Sequence, residues 1–313
     1  MENVRVRKIS GKITEDNMYS FSVFTARWFV IVTVSLFVLI GGFVQNACAS
    51  VQAGTQLYLV SMGSGDTDNI TLRAINTIKD SDIIFCGKRT RDKFPILLQG
   101  KEIHDPGFGL FAIYGKKPEQ AKKSKRFNYE EKIKQLHEIT TIIRRAVEEG
   151  KVVSVLCSGD PTIYGPNMWY LEAFEDLEPE VIPGVSCFNA ANAALRKGVT
   201  SGINAHSVIL TASFGREEYT GPDSIEELAR NQATMVFFTM FLDLEEAVKK
   251  LKTHYPPDTP IAIVLFAGYK EKQKIIRATL DTILSKTKGG KIPFEHLIYV
   301  GDFLANRYDR DNK

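Results

Sequence analysis

The sequence predicts an α/β protein with two α/β domains, preceded by an apolar N-terminal segment. Three observations predict this fold. From Gln56 onward, short apolar runs alternate with stretches of helical periodicity, the pattern of an α/β sheet. The chain has 313 residues, enough for two domains of ordinary size. Residues 28–44 contain no charged side chain, whereas 25% of the whole chain is charged.

The N-terminal segment, residues 1–50, has the pattern of a secretory signal peptide or a membrane anchor. Arg27 precedes the apolar run, and Ala47-Cys48-Ala49 follows it as a small-residue cleavage site. The run is close to the minimum length that spans a bilayer, so cleavage, anchoring and a buried core helix are all open. Because basic residues precede the run, we expect an exported (periplasmic) or membrane-anchored body. If the segment is not used for export, the body stays on the cytoplasmic face.

The first α/β domain is predicted over residues 54–183. Its apolar runs predict four strands, at 56–62, 82–86, 152–157 and 180–182. Helical spacing of apolar residues predicts three helices, at 70–79, 129–149 and 166–177. Gly150 is a stop signal at the end of the longest of these helices.

The second α/β domain is predicted over residues 184–305. It begins with an alanine-rich helix, and its strands again alternate with helices. The predicted strands are 207–211, 234–238, 261–266, 274–277 and 297–300, and the predicted helices are 186–196, 224–230, 242–252 and 280–286.

Charge and cysteine usage exclude several classes of function. The net charge is +3; residues 1–49 carry five basic and three acidic side chains, so +1 remains for the body. A near-neutral body does not favour nucleic-acid binding. The four cysteines form no C-x-x-C pair, which argues against a zinc site or a redox motif, and we expect buried free thiols and no metal.

Three loops follow predicted strands, where open α/β sheets bind ligands: residues 63–68 (GSGDTD), 158–161 (SGDP) and 183–187 (PGVSC). Gly159 would let a ligand lie against bare main chain, and Asp160 could bind a hydroxyl or an ammonium group. Each loop, taken alone, is equally compatible with an ordinary turn or a helix cap. None matches the dinucleotide fingerprint, the P-loop or the nucleophile elbow.

Taken together, the loops resemble a known family. GSGDTDNITLRA (63–74), SGDPTIYG (158–165) and VIPGVSCFNAA (181–191) are similar to the signature loops of the tetrapyrrole (corrin/porphyrin) methylases. The likeness extends over residues 56–302, and the loops most resemble the precorrin-4 C11-methyltransferase branch. The resemblance implies two α/β domains, S-adenosylmethionine (SAM) in the cleft between them, and a homodimer.

The resemblance also implies a set of site residues. The implied cofactor contacts are Ser158, Gly159, Asp160, Ile163, Ser186, Cys187, Thr239 and Ala267. The implied substrate contacts are Gly63, Gly65, Asp66 and Tyr164. Because a carboxylate can take up the proton that is released after methyl transfer, Asp66 is also the candidate catalytic residue.

The implied reaction is methyl transfer from SAM to a ring carbon of a tetrapyrrole. The insertion 104–127 is a lid, a binding loop or a solvated surface loop. Its basic side chains are candidates to meet substrate carboxylates: Lys116, Lys117, Lys122, Lys123 and Arg126. One alternative is an exported tetrapyrrole- or haem-binding protein, in which His104 ligates iron or cobalt. Another is methylation of a different substrate, such as an RNA base or a protein residue, on the same fold.

Overall fold

The computed structural model describes residues 55–121, 128–202, 206–212, 221–239, 242–287 and 292–305. The predicted signal or anchor at 28–44 lies outside these ranges. The two sheets described below belong to one compact unit that begins at Thr55. Among the helices of the described ranges, none combines the length and the apolar character needed to cross a bilayer.

The first sheet contains five parallel strands in the order β3-β2-β4-β1-β5. Every residue of β4 is buried, which explains the continuous apolar run that a parallel strand covered on both faces requires. The strands are β1 Leu57–Ser61, β2 Ile83–Phe85, β3 Glu102–His104, β4 Val153–Cys157 and β5 Glu180–Ile182.

Two helices of the first half, those that begin at Leu72 and Tyr129, are capped by side chains. Thr71 Oγ1 accepts from the Ala74 N–H at 3.1 Å, and Asn128 Oδ1 accepts from the Glu130 N–H at 3.1 Å. The helices are α1 Leu72–Asp80, α2 Lys88–Lys93, α3 Pro118–Ala121, α4 Tyr129–Glu148 and α5 Trp169–Ala173. Short 3-10 helices occupy Thr67–Asn69, Leu110–Ala112 and Glu175–Leu177.

The second sheet is mixed, with the order β6-β7-β10-β8-β9. β6 pairs with β7 in parallel, and the other three pairings are antiparallel. Two antiparallel pairings separate β7 from β8, so these two strands run in the same direction. The strands are β6 Val208–Ala212, β7 Thr234–Phe238, β8 Pro260–Leu265, β9 Lys274–Thr279 and β10 His296–Val300.

Helices of the second half cover this sheet. Ser186 and Asn189 form a reciprocal capping box at the start of α6, whose Ala191 and Leu195 pack with Val236 and Tyr299 in one buried cluster. The helices are α6 Cys187–Leu195, α7 Ile225–Ala229, α8 Leu244–Leu251 and α9 Ile283–Thr287, with a 3-10 helix at Asp302–Leu304.

The structure confirms the two-sheet α/β architecture and changes details of the predicted elements. The helix predicted at 166–177 is interrupted, because the buried Phe174 leaves helical geometry (φ −128°, ψ 30°). Apart from the short 3-10 helices, three elements were not predicted: α2, β3 and α3. β3 ends at His104, the first residue of the predicted insertion loop, and α3 lies within that loop. The predicted domain boundaries at 183 and 184 stay a prediction.

Candidate active site

The ends of the strands place the predicted loops at two edges. All strands of the first sheet are parallel, so the loops after β1, β4 and β5 leave from the same edge. In the second sheet β7 and β8 run in one direction, so Thr239 and Ala267 follow strands at one edge. The site is therefore assembled from loops at one edge of each sheet.

Three loops of the first sheet meet at Ser61, which is fully buried. Its Oγ donates to the Gly159 carbonyl at 2.7 Å and accepts from the Gly63 N–H at 3.2 Å. The Gly159 N–H donates to the Gly63 carbonyl at 3.0 Å. Gly184 packs against the same hydroxyl, since a Cβ there would lie 2.1 Å from Ser61 Oγ. The loops singled out from the sequence thus share one centre.

Asp160 ties the loop after β4 to the loop after β5. Its Oδ1 accepts from the Thr162 N–H at 2.8 Å and from Thr162 Oγ1 at 2.5 Å, which forms an Asx turn. Its Oδ2 accepts from the Gly184 N–H at 3.2 Å. The structural role that the sequence left open for Asp160 is therefore present, and its contact with a cofactor stays a prediction.

Gly159 presents bare main chain beside Asp160. Its φ is +70°, a left-handed conformation that favours glycine. Apart from Gly159 itself and its two chain neighbours, no described residue has an atom within 4 Å of the position that a Cβ on Gly159 would take. Ser158 before it is exposed. A ligand can therefore lie directly against the main chain of this turn, whose Gly159 N–H and carbonyl are held by Gly63 and Ser61.

Tyr164 connects the same loop to the second sheet. Its ring centroid lies 4.4 Å from that of Phe238, at the end of β7, and its hydroxyl donates to the Leu210 carbonyl at 3.1 Å. Tyr164 has a left-handed φ of +56°, and 42% of the residue is exposed. Ile163 packs against the buried cluster of the second sheet. Both residues thus lie where the loop after β4 meets the second sheet.

Ser186 caps helix α6, and Cys187 is the first residue of that helix. Ser186 is 1% exposed and accepts from the Asn189 N–H at 3.2 Å, so its hydroxyl caps the helix. Burial raises the pKa of the Cys187 thiol to about 11 and that of Cys157 also to about 11. Both thiols are uncharged at neutral pH, which makes them apolar contacts and poor nucleophiles.

Thr239 and Ala267 are both buried at the edge of the second sheet, each 8% exposed. Thr239 Oγ1 donates to the His296 carbonyl at 2.7 Å, which joins the end of β7 to the start of β10. Burial lowers the pKa of His296, so its ring is neutral at physiological pH. The edge of the second sheet thus contributes uncharged groups.

Gly65 and Asp66 lie against the loop after β8. The Asp66 N–H donates to the Gly268 carbonyl at 2.9 Å, and Asp66 Oδ2 accepts from the Lys270 N–H at 2.9 Å. The predicted substrate loop is therefore in direct contact with the loop that carries Ala267.

Helix α2 adds functional candidates that were not predicted. Arg89 Nη2 donates to the Tyr269 hydroxyl at 2.8 Å and to Glu295 Oε1 at 2.6 Å. Lys93 Nζ donates to the Gly65 carbonyl, and burial lowers the pKa of this amine. The signal in the sequence was the run KRTRDK directly after β2, at the edge where the loops leave.

His104 does not lie in a loop. It ends β3, its Nε2 is 2.7 Å from Glu102 Oε1, and its ring stacks on Phe85 at 5.3 Å. The described ranges contain no group of three or more His, Cys, Asp or Glu side chains that could hold a metal. Lys116 and Lys117 are exposed, whereas Lys122, Lys123 and Arg126 lie outside the described residues.

Comparison with known sequences places this site in a family. The sequence profile of the "Tetrapyrrole (Corrin/Porphyrin) Methylases" matches residues 56–284. The chain is 31% identical over 257 residues to a cobalt-precorrin-4 C(11)-methyltransferase of Methanocaldococcus jannaschii, covering 81% of this chain and 90% of that protein.

Solved structures share the fold. A cobalt-precorrin-4 methyltransferase matches with a TM-score of 0.61 and 22% identity, over 80% of this chain and 96% of its own. A uroporphyrin-III C-methyltransferase of Thermus thermophilus complexed with S-adenosylhomocysteine matches with a TM-score of 0.52 and 20% identity, over 80% of this chain and 98% of its own. With its signature loops gathered at Ser61 and its body matched over most of its length, the chain belongs to the tetrapyrrole (corrin/porphyrin) methylases.

Proposed function

We propose that this chain is a SAM-dependent methyltransferase that acts on a ring carbon of a tetrapyrrole of the precorrin or cobalt-precorrin type. The observation that carries the proposal is the meeting of three signature loops at Ser61, with open space beside the main chain of Gly159. The similarity to a cobalt-precorrin-4 C(11)-methyltransferase supports carbon 11 as the methylated position.

The residues around Gly159 fit SAM. A ligand with adenine, ribose and amino-acid parts is recognised by peptide N–H and C=O groups, and a side chain at position 159 would fill the space that such a ligand needs. Cys187 and Ala267 are both uncharged. Ala267 belongs to the buried apolar cluster of the second sheet, and Cys187 packs against it. When bound, SAM supplies an electrophilic methyl group on a positively charged sulfur.

The chain contributes orientation more than chemistry in this reaction. Asp160 fixes the loop after β4 through bonds to Thr162 and Gly184, and Ser61 fixes that loop against Gly63. Holding two reactants in one geometry removes much of the entropic barrier of a bimolecular step. The buried groups at the edge of the second sheet, Thr239 and Ala267, exclude water from their side of the site.

Isothermal titration calorimetry of the full chain with SAM tests the donor site. We expect binding heat for the wild type. For Asp160→Ala we expect the affinity for SAM to fall by about tenfold or more, because Gly184 and Thr162 lose their acceptor. Asp160→Asn keeps an acceptor oxygen for Thr162 but cannot also accept from the Gly184 N–H, so we expect an affinity between those of the wild type and Asp160→Ala. No binding heat for the wild type would overturn the proposal. Mass spectrometry of a cobalt-precorrin-4 incubation, read as the gain of one methyl group, tests the substrate.

We further propose that residues 1–50 export the body or anchor it to a membrane, and that the protein works as a homodimer. The pattern of a basic residue, an uncharged apolar run and a small-residue site supports the first proposal. Sequencing the N-terminus of the mature protein from its native host distinguishes cleavage from anchoring. An N-terminus that starts at Met1 in a soluble fraction would contradict both. Sedimentation equilibrium of the same sample measures the oligomeric state.

A further inference from the structure

Two glycines bring the loop after β1 into main-chain contact with the loop after β8. Gly65 and Gly268 both have left-handed φ angles, +83° and +84°. A Cβ on Gly65 would lie 2.1 Å from the carbonyl carbon of Gly268, and one on Gly268 would lie 2.6 Å from the Ser64 oxygen. A side chain at either position would displace main chain, so the two backbones set the separation of the loops.

Polar groups fasten this contact on both sides. The Asp66 N–H donates to the Gly268 carbonyl at 2.9 Å, and Asn69 Nδ2 donates to the Ser64 carbonyl at 2.7 Å and to the Gly268 carbonyl at 3.3 Å. Asp66 Oδ2 in turn accepts from the Lys270 N–H at 2.9 Å. We call this set the clasp; its members are Gly65, Asp66, Asn69, Gly268 and Lys270.

The clasp joins the two halves of the candidate active site. Ala267, a predicted contact of the methyl donor, directly precedes Gly268. Gly63 and Gly65, predicted contacts of the tetrapyrrole, belong to the loop on the other side. A shift of the clasp would therefore change the position of one reactant relative to the other, and small misplacements of this kind slow reactions strongly.

The Asp66 carboxylate has a defined partner in this arrangement. Its Oδ2 receives a main-chain N–H, a bond that requires an acceptor oxygen and no negative charge. We propose that Asp66 is a positioning residue, which holds the tetrapyrrole loop in register with the donor loop, and that it does not accept the proton of the reaction. This inference rests on the proposed function, and it differs from the catalytic role that the sequence analysis predicted for Asp66.

Kinetics of three variants of the full chain test the proposal. A carboxamide keeps the acceptor oxygen but cannot serve as a base, so we expect Asp66→Asn to keep at least about a third of the wild-type kcat. Asp66→Ala loses the acceptor, and we expect kcat to fall by about 10- to 100-fold. Asn69→Ala loosens the clasp without touching Asp66, and we expect a decrease in the same parameter. The Kd for SAM, measured by calorimetry, should change by less than about threefold in all three.

Hydrogen exchange tests the clasp independently of activity. The Lys270 N–H should be protected in the wild type and in Asp66→Asn, and it should exchange at least about tenfold faster in Asp66→Ala. Asp68→Ala is the matched control, because Asp68 contacts the same lysine through its exposed side chain and not through the main chain. We expect that control to leave the exchange of the Lys270 N–H unchanged.

The possible failures are distinguishable. If the wild type neither binds SAM nor methylates, the proposed function fails, while protection of the Lys270 N–H still decides whether the clasp exists. If the wild type methylates and Asp66→Asn is as slow as Asp66→Ala, Asp66 is the proton acceptor and the positioning role is overturned. Equal exchange of the Lys270 N–H in the wild type and Asp66→Ala also overturns it.

Discussion

Gly184 packs directly on the side chain of Ser61, and a Cβ on Gly184 would lie 2.1 Å from Ser61 Oγ. The same hydroxyl donates to the Gly159 carbonyl and accepts from the Gly63 N–H. One buried serine therefore fixes three loops of the site, and the absence of a side chain at position 184 is what allows it to do so.

The first prediction is that Gly184→Ala disturbs the site. The added methyl group displaces Ser61, so we expect a loss of about 1–3 kcal/mol in the free energy of unfolding, measured by urea denaturation, together with weaker SAM binding. Gly198→Ala is the matched control, since the nearest described side-chain atom to its Cβ position is 3.7 Å away. That control should stay within about 0.5 kcal/mol of the wild type. Equal stability of the two variants would contradict the close contact.

The second prediction separates backbone strain from ligand space at Gly159. Gly159 and Gly100 both have left-handed φ angles, +70° and +75°, and both Cβ positions are clear of described atoms within 4 Å. Alanine at either position should cost about 1–2 kcal/mol of stability. Only Gly159→Ala should also weaken SAM binding, by about tenfold or more, which corresponds to about 1.4 kcal/mol. Equal affinities of both variants in calorimetry would exclude the space beside Gly159 as the donor site.

The third prediction concerns the thiols of Cys157, which is buried, and Cys187, which is partly buried. Burial raises the pKa of Cys157 and of Cys187 from 9.0 to about 11. At pH 8 the thiolate fraction then falls from about one tenth to about one thousandth, so iodoacetamide should alkylate both about a hundredfold more slowly in the native than in the unfolded chain. Peptide mass mapping measures the rates. Fast native alkylation at either position would contradict the raised pKa of that thiol.

The same thiols should make the free energy of unfolding decrease in alkaline solution. Their pKa values are higher in the folded than in the unfolded chain, so their contribution is fully present below about pH 9. It is lost as the pH rises towards about 11, because the unfolded chain releases these protons first. Urea denaturation at several pH values checks the sign, and Cys157→Ala should reduce the slope.

The fourth prediction tests the connection that Tyr164 makes to the second sheet. Tyr164→Phe keeps the ring beside Phe238 and loses the bond to the Leu210 carbonyl, so it should cost no more than about 1 kcal/mol. Tyr164→Ala loses both, and we expect a larger loss of stability together with weaker SAM binding. Calorimetry and urea denaturation measure the two effects. If the two variants behave alike, the ring contact contributes little.

Much of the fold could be predicted because buried strands and helices have recognisable patterns of apolar residues. The strands Val153–Cys157 and Thr234–Phe238 are buried at every position, and both read as mainly apolar runs in which Ser154 and Thr234 are the polar members. Helix Lys88–Lys93 could not be predicted in this way, because none of its residues is buried and its pattern is almost wholly charged. Its position depends on contacts with Tyr269 and Glu295, in loops of the second half, which periodicity does not encode.

The loops that form the candidate site could be predicted from the sequence, but the hydrogen bonds between them could not. The three loops were found because glycines and carboxylates follow strands in a recognisable order. Contacts across long separations left no such mark; Asp66 and Lys270 are 204 positions apart. Likewise, Asp160 was a plausible ligand of the donor, but only the structure shows that both of its oxygens already accept hydrogen bonds from the protein.

The meeting of Gly65 and Gly268 has a consequence for how such a protein can diversify. Because this junction is peptide against peptide, its geometry depends on few side chains, chiefly those of Asp66 and Asn69. Side chains that take no part in it, such as those of Ser64, Thr67 and Lys270, can then be exchanged for others. Such exchanges would select a different substrate while the spacing of the two loops stays the same.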